Sequence, residues 1–334
     1  MNMKVRMYED GDYKVIDPWF SALSKFYDGH TPDKKLIDQL VNRQEKDAEG
    51  FFTLSKEIYI CEENGAILGF FCLNYKRGEA VKLGPLVVAP GARGKGVGSF
   101  LYGYIDILCR ERKFRKLYAT TSQLNAPVNA LFNKFGYKEE AVYPDQYKKG
   151  SNEVVWGKVF TPDTFPVAEQ NSMVLAGDRP ITLSDFNEKL HMDGLTFCDT
   201  IFSEWHDDLG ADFIEATLNG YKRGREAVDF QTKTKSIIVA SSESGIDGIG
   251  VFSPKRGGAG KLYPFYGTQR AQREIITTLK AQKDFYGVHK IYSFCSLLDA
   301  KQQATFIENG FVQRGVLDQP YKPNTRLTTF DLFI

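Results

Sequence analysis

The chain has 334 residues, and its 43 Lys and Arg are balanced by 42 Asp and Glu, for a net charge of +1. At about 150 residues per domain the length predicts two domains, and 42% apolar residues let each bury a core. The balance argues against a nucleic-acid coat or a polybasic membrane clamp, and no apolar run reaches the ~18 residues of a membrane helix.

In chain order, Lys4–Tyr8 reads as a short strand and Tyr13–Tyr27 as a helix, with Val15, Ile16, Phe20, Leu23 and Phe26 apolar. Thr31 as N-cap and Pro32 at the first helical position begin a second helix reaching about Ala48. Glu57–Cys61 is rich in β-formers, Asn64-Gly65 is a hairpin signal, and Ala66–Tyr75 is the return strand. Val81–Val88 is a further strand, Gly98–Arg112 has helical period, and Lys116–Thr121 is an apolar strand. Asn125–Phe135 is a short amphipathic helix with Gly136 as its C′ residue. Tyr137–Tyr143 and Glu153–Phe160 close the pattern β-α-α-β-β-β-α-β-α-β-β, a mixed α/β sheet. The N-terminus has no apolar core of a signal peptide. Cys61, Cys72, Cys109, Cys198 and Cys295 are scattered and form no C-x-x-C pair, which predicts reduced thiols and a cytoplasmic location.

The sequence repeats itself. Gly136, Val142, Tyr147 and Lys148 recur at one constant spacing as Gly310, Val316, Tyr321 and Lys322. At the same spacing Lys116-Leu117-Tyr118 matches Lys290-Ile291-Tyr292, and Ala130 and Phe132 match Ala304 and Phe306. Upstream, Lys76-Arg77-Gly78 matches Lys255-Arg256-Gly257, and Lys82-Leu83-Gly84-Pro85 matches Lys261-Leu262-Tyr263-Pro264. The spacing changes once, after Pro85, where the second copy is five residues shorter. The stretch TPDTFPVAEQNS, 161–172, has no periodicity and reads as a linker between domains 1–160 and 173–334.

The segment VKLGPLVVAPGARGKGVGS, Val81–Ser99, carries the chemistry. A strand passes through a loop holding Gly91, Gly94, Gly96 and Gly98 and enters a helix. Without Cβ atoms, successive N–H groups can converge on an anion. The positive end of the helix dipole points to the same place, and Arg93 and Lys95 add cations. The loop suits a phosphate, but it has neither the mononucleotide nor the dinucleotide spacing.

Arg93-Gly94-Lys95-Gly96-Val97-Gly98 resembles the R/Q-x-x-G-x-G/A signature of the GCN5-related N-acetyltransferases (GNAT). Leu86–Pro90 resembles that family's fourth strand, and Asn125–Tyr137 its second motif, in the right order. The resemblance implies two tandem GNAT folds, each a mixed, mostly antiparallel sheet with helices on both faces. It implies acetyl-CoA as acyl donor and no metal. The fourth and fifth strands would splay to admit the pantetheine, paired with backbone groups of Leu86, Val87 and Val88. One of those N–H groups would polarise the thioester carbonyl. Arg93, Gly94, Lys95, Gly96, Val97, Gly98 and Ser99 would hold the pyrophosphate, Asn125 would lie by the pantetheine arm, and Phe132 would belong to the cofactor-binding set. An amine would attack the thioester directly.

Two family groups are missing. Phe132 stands where many relatives have a tyrosine acid, and Lys82 where some have a glutamate. A thiol of pKa ~8.5 leaves as thiolate for about 2 kcal/mol at neutral pH, so Phe132 does not preclude transfer. Tyr147 and Asp145 are candidate catalytic residues in the loop before the last strand, although Tyr147 recurs as Tyr321. Lys82 is a candidate for binding an acidic group beside the acceptor amine, against a reading as a solvated strand residue. Tyr27 and His30 lie in the connection that commonly covers the acceptor in relatives.

In the second copy the shortening falls on the phosphate loop, and Asp299 replaces Asn125. That half is expected to keep the fold without binding CoA, and Trp205-His206-Asp207-Asp208 could wall the acceptor cleft. The function expected is acyl transfer to a primary amine of a small molecule, amino acid or peptide. The partners expected are that acceptor alone, with no nucleic acid or membrane, and a monomer acting as an internal pseudo-dimer. The alternatives are a longer acyl donor, a CoA-binding pseudoenzyme or sensor, and a tRNA-dependent transferase, which the charge balance disfavours.

Overall fold

The computed structural model describes residues 2–19, 53–161, 172–184, 210–226 and 234–334. The chain divides into one unit of Met1–Ala48 with Phe52–Pro162 and another of Glu49–Phe51 with Asp163–Ile334. Tyr27, His30, the helix expected from Pro32, residues 162–171, Cys198 and Trp205–Asp208 lie outside the described residues.

The first unit holds β1 (Lys4–Met7), a single helical turn α1 (Tyr13–Ile16), β2 (Thr53–Glu63), β3 (Ala66–Lys76), β4 (Ala80–Val88), α2 (Val97–Glu111), β5 (Lys116–Ser122), α3 (Ala126–Lys134), β6 (Lys138–Lys148) and β7 (Ser151–Val159). Its strand order is β1-β2-β3-β4-β5-β7-β6. Every pair is antiparallel except β4–β5, which is parallel. Asn64 (φ 52°) and Gly65 (φ 78°) make the expected β2–β3 turn, both left-handed as a type I′ hairpin requires.

The β4–β5 pairing is confined to Ala80–Lys82 against Lys116–Tyr118. Beyond it, β4 runs on to Val88 and β5 to Ser122 without pairing each other. The two strands diverge there because β4 carries a bulge. Leu83 opposes Leu73 on β3, but the next register pair is Leu86 with Phe71, so an extra residue is taken up at Gly84–Pro85. Asn74 Nδ2 fastens the bulge, donating to the carbonyls of Lys82 (3.3 Å) and Gly84 (3.2 Å).

α2 buries Val97, Leu101, Tyr102, Ile105, Leu108 and Cys109, a stripe of helical period laid on one sheet face. α3 starts with Pro127 in its first turn and ends at Gly136 (φ 74°), the left-handed residue after the Phe135 cap. Phe132 stacks on Trp156 with ring centroids 5.4 Å apart and meets Tyr102 edge-on at 5.2 Å. On the opposite face, α1 sets Ile16 against Ile58, Ile60, Phe70, Cys72 and Val87.

Two strands outrun their sequence reading most. β2 begins at Thr53, not Glu57, and β6 continues to Lys148 through Pro144 and Asp145. Those two residues sit inside the register shift between Tyr143 and Lys148, where a missing N–H costs no ladder bond.

The second unit contains β8 (Val174–Leu175), β9 (Thr182–Ser184), α4 (Gly210–Glu226), β10 (Ser236–Ser242), β11 (Gly245–Lys255), β12 (Ala259–Thr268), α5 (Gln269–Ala281), α6 (Lys283–Tyr286), β13 (Lys290–Ser296), α7 (Ala300–Glu308), β14 (Val312–Asp318) and β15 (Arg326–Phe333). β10, β11 and β12 pair antiparallel, and β12 runs parallel to β13 only at Ala259–Lys261. β13 pairs β15, and β15 pairs β14, both antiparallel. β12 bulges at the matching place, between Leu262 and Phe265. The length difference seen in the sequence is a net of two changes. β12 passes into α5 with no loop, while α6 adds a turn before β13.

Candidate functional site

In the first unit the bulge and the glycine loop make one continuous feature. Leu86, Val87 and Val88 pair with β3 on one side. On the other side, past Lys82, β5 has diverged. Ala89 N donates to Leu68 O at 2.9 Å, which ends the ladder and turns the chain into the loop. Arg93 Nε reaches back to Val88 O at 3.3 Å. Gly94 (φ 75°) and Gly96 (φ 82°) are left-handed, and a Cβ on either would meet open space. Residues 93–96 are all exposed.

Gly96 caps α2, and Phe100 N donates to Gly96 O at 3.0 Å. The amides of Val97, Gly98 and Ser99 therefore precede the helical ladder and head the helix dipole. A Cβ on Gly98 would lie 3.1 Å from Leu131 Cδ1, so this glycine lets α2 and α3 pack closely. Lys134 Nζ donates to Ser99 Oγ at 3.3 Å, adding a cation at the head of α2. Asn125 caps α3 without using its side chain for the cap. A strand edge opening onto backbone amides and cations can take an extended amide-bearing chain that ends in phosphates.

A second group of polar side chains lines the face away from α2 and α3. Val81, Leu83, Leu117, Ala119, Val154 and Trp156 belong to the core beneath those helices. By strand alternation Lys82, Tyr118, Thr120, Ser122 and Glu153 face the other way. Glu153 is opposite Ser122 on β5 and Tyr143 on β6, and only 8% exposed. Burial pushes its carboxyl up to about 7, opposed by a hydrogen bond from Thr120 and by the Lys82 charge. Burial also holds the Lys82 ammonium below the usual lysine range, with Glu153 acting the other way.

The other expected residues fall in different places. Phe132 is enclosed in the aromatic core at 2% exposure. Asp145 (φ 50°) accepts from Gly150 N at 2.6 Å and so shapes the β6–β7 turn. Tyr147 is half-buried on the outer end of β6. Glu153 and Thr120 were not singled out in the sequence. The signal for Glu153 was a carboxylate next to the apolar run Val154–Trp156, at a position where the second half has Leu327.

The matching slot of the second unit is filled by its own chain. β8 lies parallel to the end of β12, with Val174 beside Gly267 and Leu175 beside Thr268. Gly267 N donates to Met173 O at 3.0 Å. Asp299, at the Asn125 position, accepts from Ser172 Oγ and Met173 N, both at 2.7 Å, and from Gln302 N at 3.0 Å. Gln272 Nε2 donates to Met173 O at 3.2 Å, and Met173 is fully buried. On the other face Lys261 Nζ sits 4.9 Å from the Tyr263 ring, 4.6 Å from Phe294 and 5.9 Å from Tyr321. Phe294 and Leu327 hold the strand positions that Thr120 and Glu153 hold in the first unit.

Among the described residues no group of His, Cys, Asp and Glu has a metal-binding arrangement, and no helix is long and apolar enough to cross a membrane.

The model of the Acetyltransferase (GNAT) family matches residues 16–137. Over 113 residues the chain is 26% identical to the streptothricin acetyltransferase of Streptomyces lavendulae, covering 32% of this chain and 60% of that protein. The chain thus spans about three fifths of the length of that curated relative. The first unit therefore carries a GNAT acetyltransferase domain. Among solved structures, the ribosomal-protein-alanine N-acetyltransferase from Brucella melitensis is 19% identical, covering 47% of this chain and 99% of that one, with a TM-score of 0.40. A GNAT family acetyltransferase from Elizabethkingia anophelis, solved with acetyl-CoA bound, is 17% identical, covering 48% and 99%, with a TM-score of 0.37.

Proposed function

We propose that the first unit transfers an acetyl group from acetyl-CoA to a primary amine of a small molecule, amino acid or peptide. We further propose that the second unit is a degenerate tandem copy of the same fold that does not bind CoA. The observation that carries the first reading is the β4 edge at Leu86–Val88, which β5 leaves unpaired and no other described strand takes up, running directly into the exposed, left-handed glycine loop at the head of α2. The second rests on the Ser172–Leu175 segment, which fills the corresponding place beside β12.

The residues present suit this donor. Leu86, Val87 and Val88 offer main-chain groups along the edge. The amides of residues 94–99, with Arg93, Lys95 and Lys134, suit a pyrophosphate. Asn125 stands at the head of α3 beside the diverging strands. The bound thioester supplies the activated acyl group. The protein must hold it, keep the acceptor nitrogen near it, and take away a proton. Tyr147 and Asp145 stay as candidates around the acceptor, with Tyr27 and His30.

Phe132 favours one other reading, a donor-binding protein without transfer, because no hydroxyl stands at that position to protonate the thiolate. Thermal shift on wild type and Gly96→Glu, with acetyl-CoA, longer acyl-CoAs and desulfo-CoA, tests the first step. Ligands that bind the native state raise its midpoint. The expected result is a rise in wild type that the variant loses, followed by amine-dependent release of free thiol. No rise with any of these compounds overturns the assignment. A rise without thiol release for any amine leaves the binding-protein reading.

A further inference from the structure

We infer that Glu153 takes the proton from the acceptor amine, with Lys82 as the positioning residue that sets its charge; this rests on the acyl-transfer reading above. The inference starts from placement. β4 and β5 part company just after Lys82 and Tyr118. Glu153 lies on β7 opposite Ser122, the last residue of the diverging β5. Its carboxylate, Lys82 and Thr120 share the face opposite the two core helices. A nitrogen reaching a thioester held between the strands from that face passes this carboxylate.

Glu153 has no role in holding the fold that the second unit does not fill with leucine. There Leu327 occupies the same strand position, Phe294 replaces Thr120, and the retained lysine sits among aromatic rings. Among the described residues, the carboxylate, its Thr120 partner and a slot that no strand fills occur together in the first unit, and all three are absent from the second.

A buried carboxylate is costly unless it is partnered. Thr120 and Lys82 meet only part of that cost, which leaves Glu153 able to exchange a proton near neutrality. Among the described residues, the groups facing it are Lys82 on β4, with Lys56 of β2 behind it, Tyr118, Thr120 and Ser122 on β5, and Tyr143 on β6. The step balances. The carboxylate accepts a proton from the ammonium and frees the nitrogen lone pair. The C–N bond forms and the C–S bond breaks. The second nitrogen proton goes with the departing thiol, and Glu153 returns its own proton to water.

The test is steady-state thiol release by wild type, Glu153→Gln and Lys82→Met. Acetyl-CoA is the donor, and the acceptor panel is an amino acid, a polyamine, an amino sugar and a short peptide. Thermal midpoints confirm folding. The expected result for Glu153→Gln is a fall in kcat of about 100-fold or more, with KM for acetyl-CoA within about two-fold of wild type. The acidic limb of the wild-type pH profile disappears in this variant. Lys82→Met moves that limb to higher pH, since removing the cation raises the carboxyl further. Retained kcat and limb in Glu153→Gln overturn the assignment but leave acyl transfer standing. If wild type binds acetyl-CoA yet turns over no amine of the panel, the acyl-transfer reading falls and this role falls with it.

Discussion

Lys116 Nζ lies 2.7 Å from both carboxylate oxygens of Glu140, and the pair is almost wholly buried. Gly157 makes room for it, because a Cβ there would fall 2.1 Å from Glu140 Oε1. The second unit solves the same problem from another strand. Lys290 holds the Lys116 position, Arg314 stands where Glu140 does, and Asp331 stands where Gly157 does. Asp331 lies 3.6 Å from Lys290 Nζ and 2.6 Å from Arg314 Nε. A buried lysine is kept in both units, and the carboxylate that neutralises it has changed strands.

Breaking such a pair strands a buried charge, which costs about 3–5 kcal/mol. Glu140→Gln is therefore expected to destabilise the first unit by that amount in urea unfolding. Gly157→Asp alone should also be destabilising, by crowding Glu140. Joining Gly157→Asp to Glu140→Arg reproduces the second unit's arrangement and should recover most of the loss. A double variant as unstable as the sum of its parts would show that the two arrangements are not interchangeable.

The glycine loop predicts a graded series. Gly94→Ala and Gly96→Ala place a side chain in the left-handed region, a cost of about 1 kcal/mol each, and should weaken acetyl-CoA binding in calorimetry. Gly98→Ala presses on Leu131 and should loosen the α2–α3 contact. Gly91→Ala has neither a positive φ nor a neighbour within 4 Å, so it should change nothing. Equal effects at Gly91 and Gly96 would contradict a phosphate role for the loop.

Glu153 predicts a pH dependence of stability. Its carboxyl rises from an ordinary value of 4.5 to about 7 in the folded protein. The native state then binds more protons than the unfolded chain between those values, so stability falls as pH rises through that window. The fall amounts to about 3 kcal/mol for this group. Glu153→Leu, the residue of the matching strand, should remove it, so the variant gains on wild type at pH 8 but not at pH 4. Parallel stability curves for the two proteins would refute the elevated carboxyl.

Asp299 ties the Ser172–Leu175 segment into the second unit. Asp299→Ala removes acceptors from Ser172 Oγ, Met173 N and Gln302 N. With buried donors left unmet at about 1–3 kcal/mol each, hydrogen exchange at Met173 and Gly267 should accelerate strongly. Exchange unchanged from wild type would mean that the segment is held by packing alone.

Much of this protein was legible residue by residue. The strand–loop–helix at Val81–Glu111 was readable because its signals are local: a β-rich run, glycines before a helix, and helical period. The residue matches between the two halves were equally readable, since matched residues need no geometry to be compared. Glu153 was not legible, because its meaning comes from Thr120 and Lys82, neighbours supplied by two other strands. Asp145 was readable as a candidate from the sequence, and the structure adds that its carboxylate accepts from the Gly150 amide in its own turn.

By itself the sequence determined which segments become strands and helices and where the glycine-rich loop ahead of α2 lies, because periodicity and backbone freedom are properties of consecutive residues. Only the tertiary structure decided which polar side chains meet across strands, because register and alternation assign faces only once the strands are paired. It also decided that Ser172–Leu175 takes the place beside β12, where backbone donors and acceptors left over by diverging strands have to be met by something.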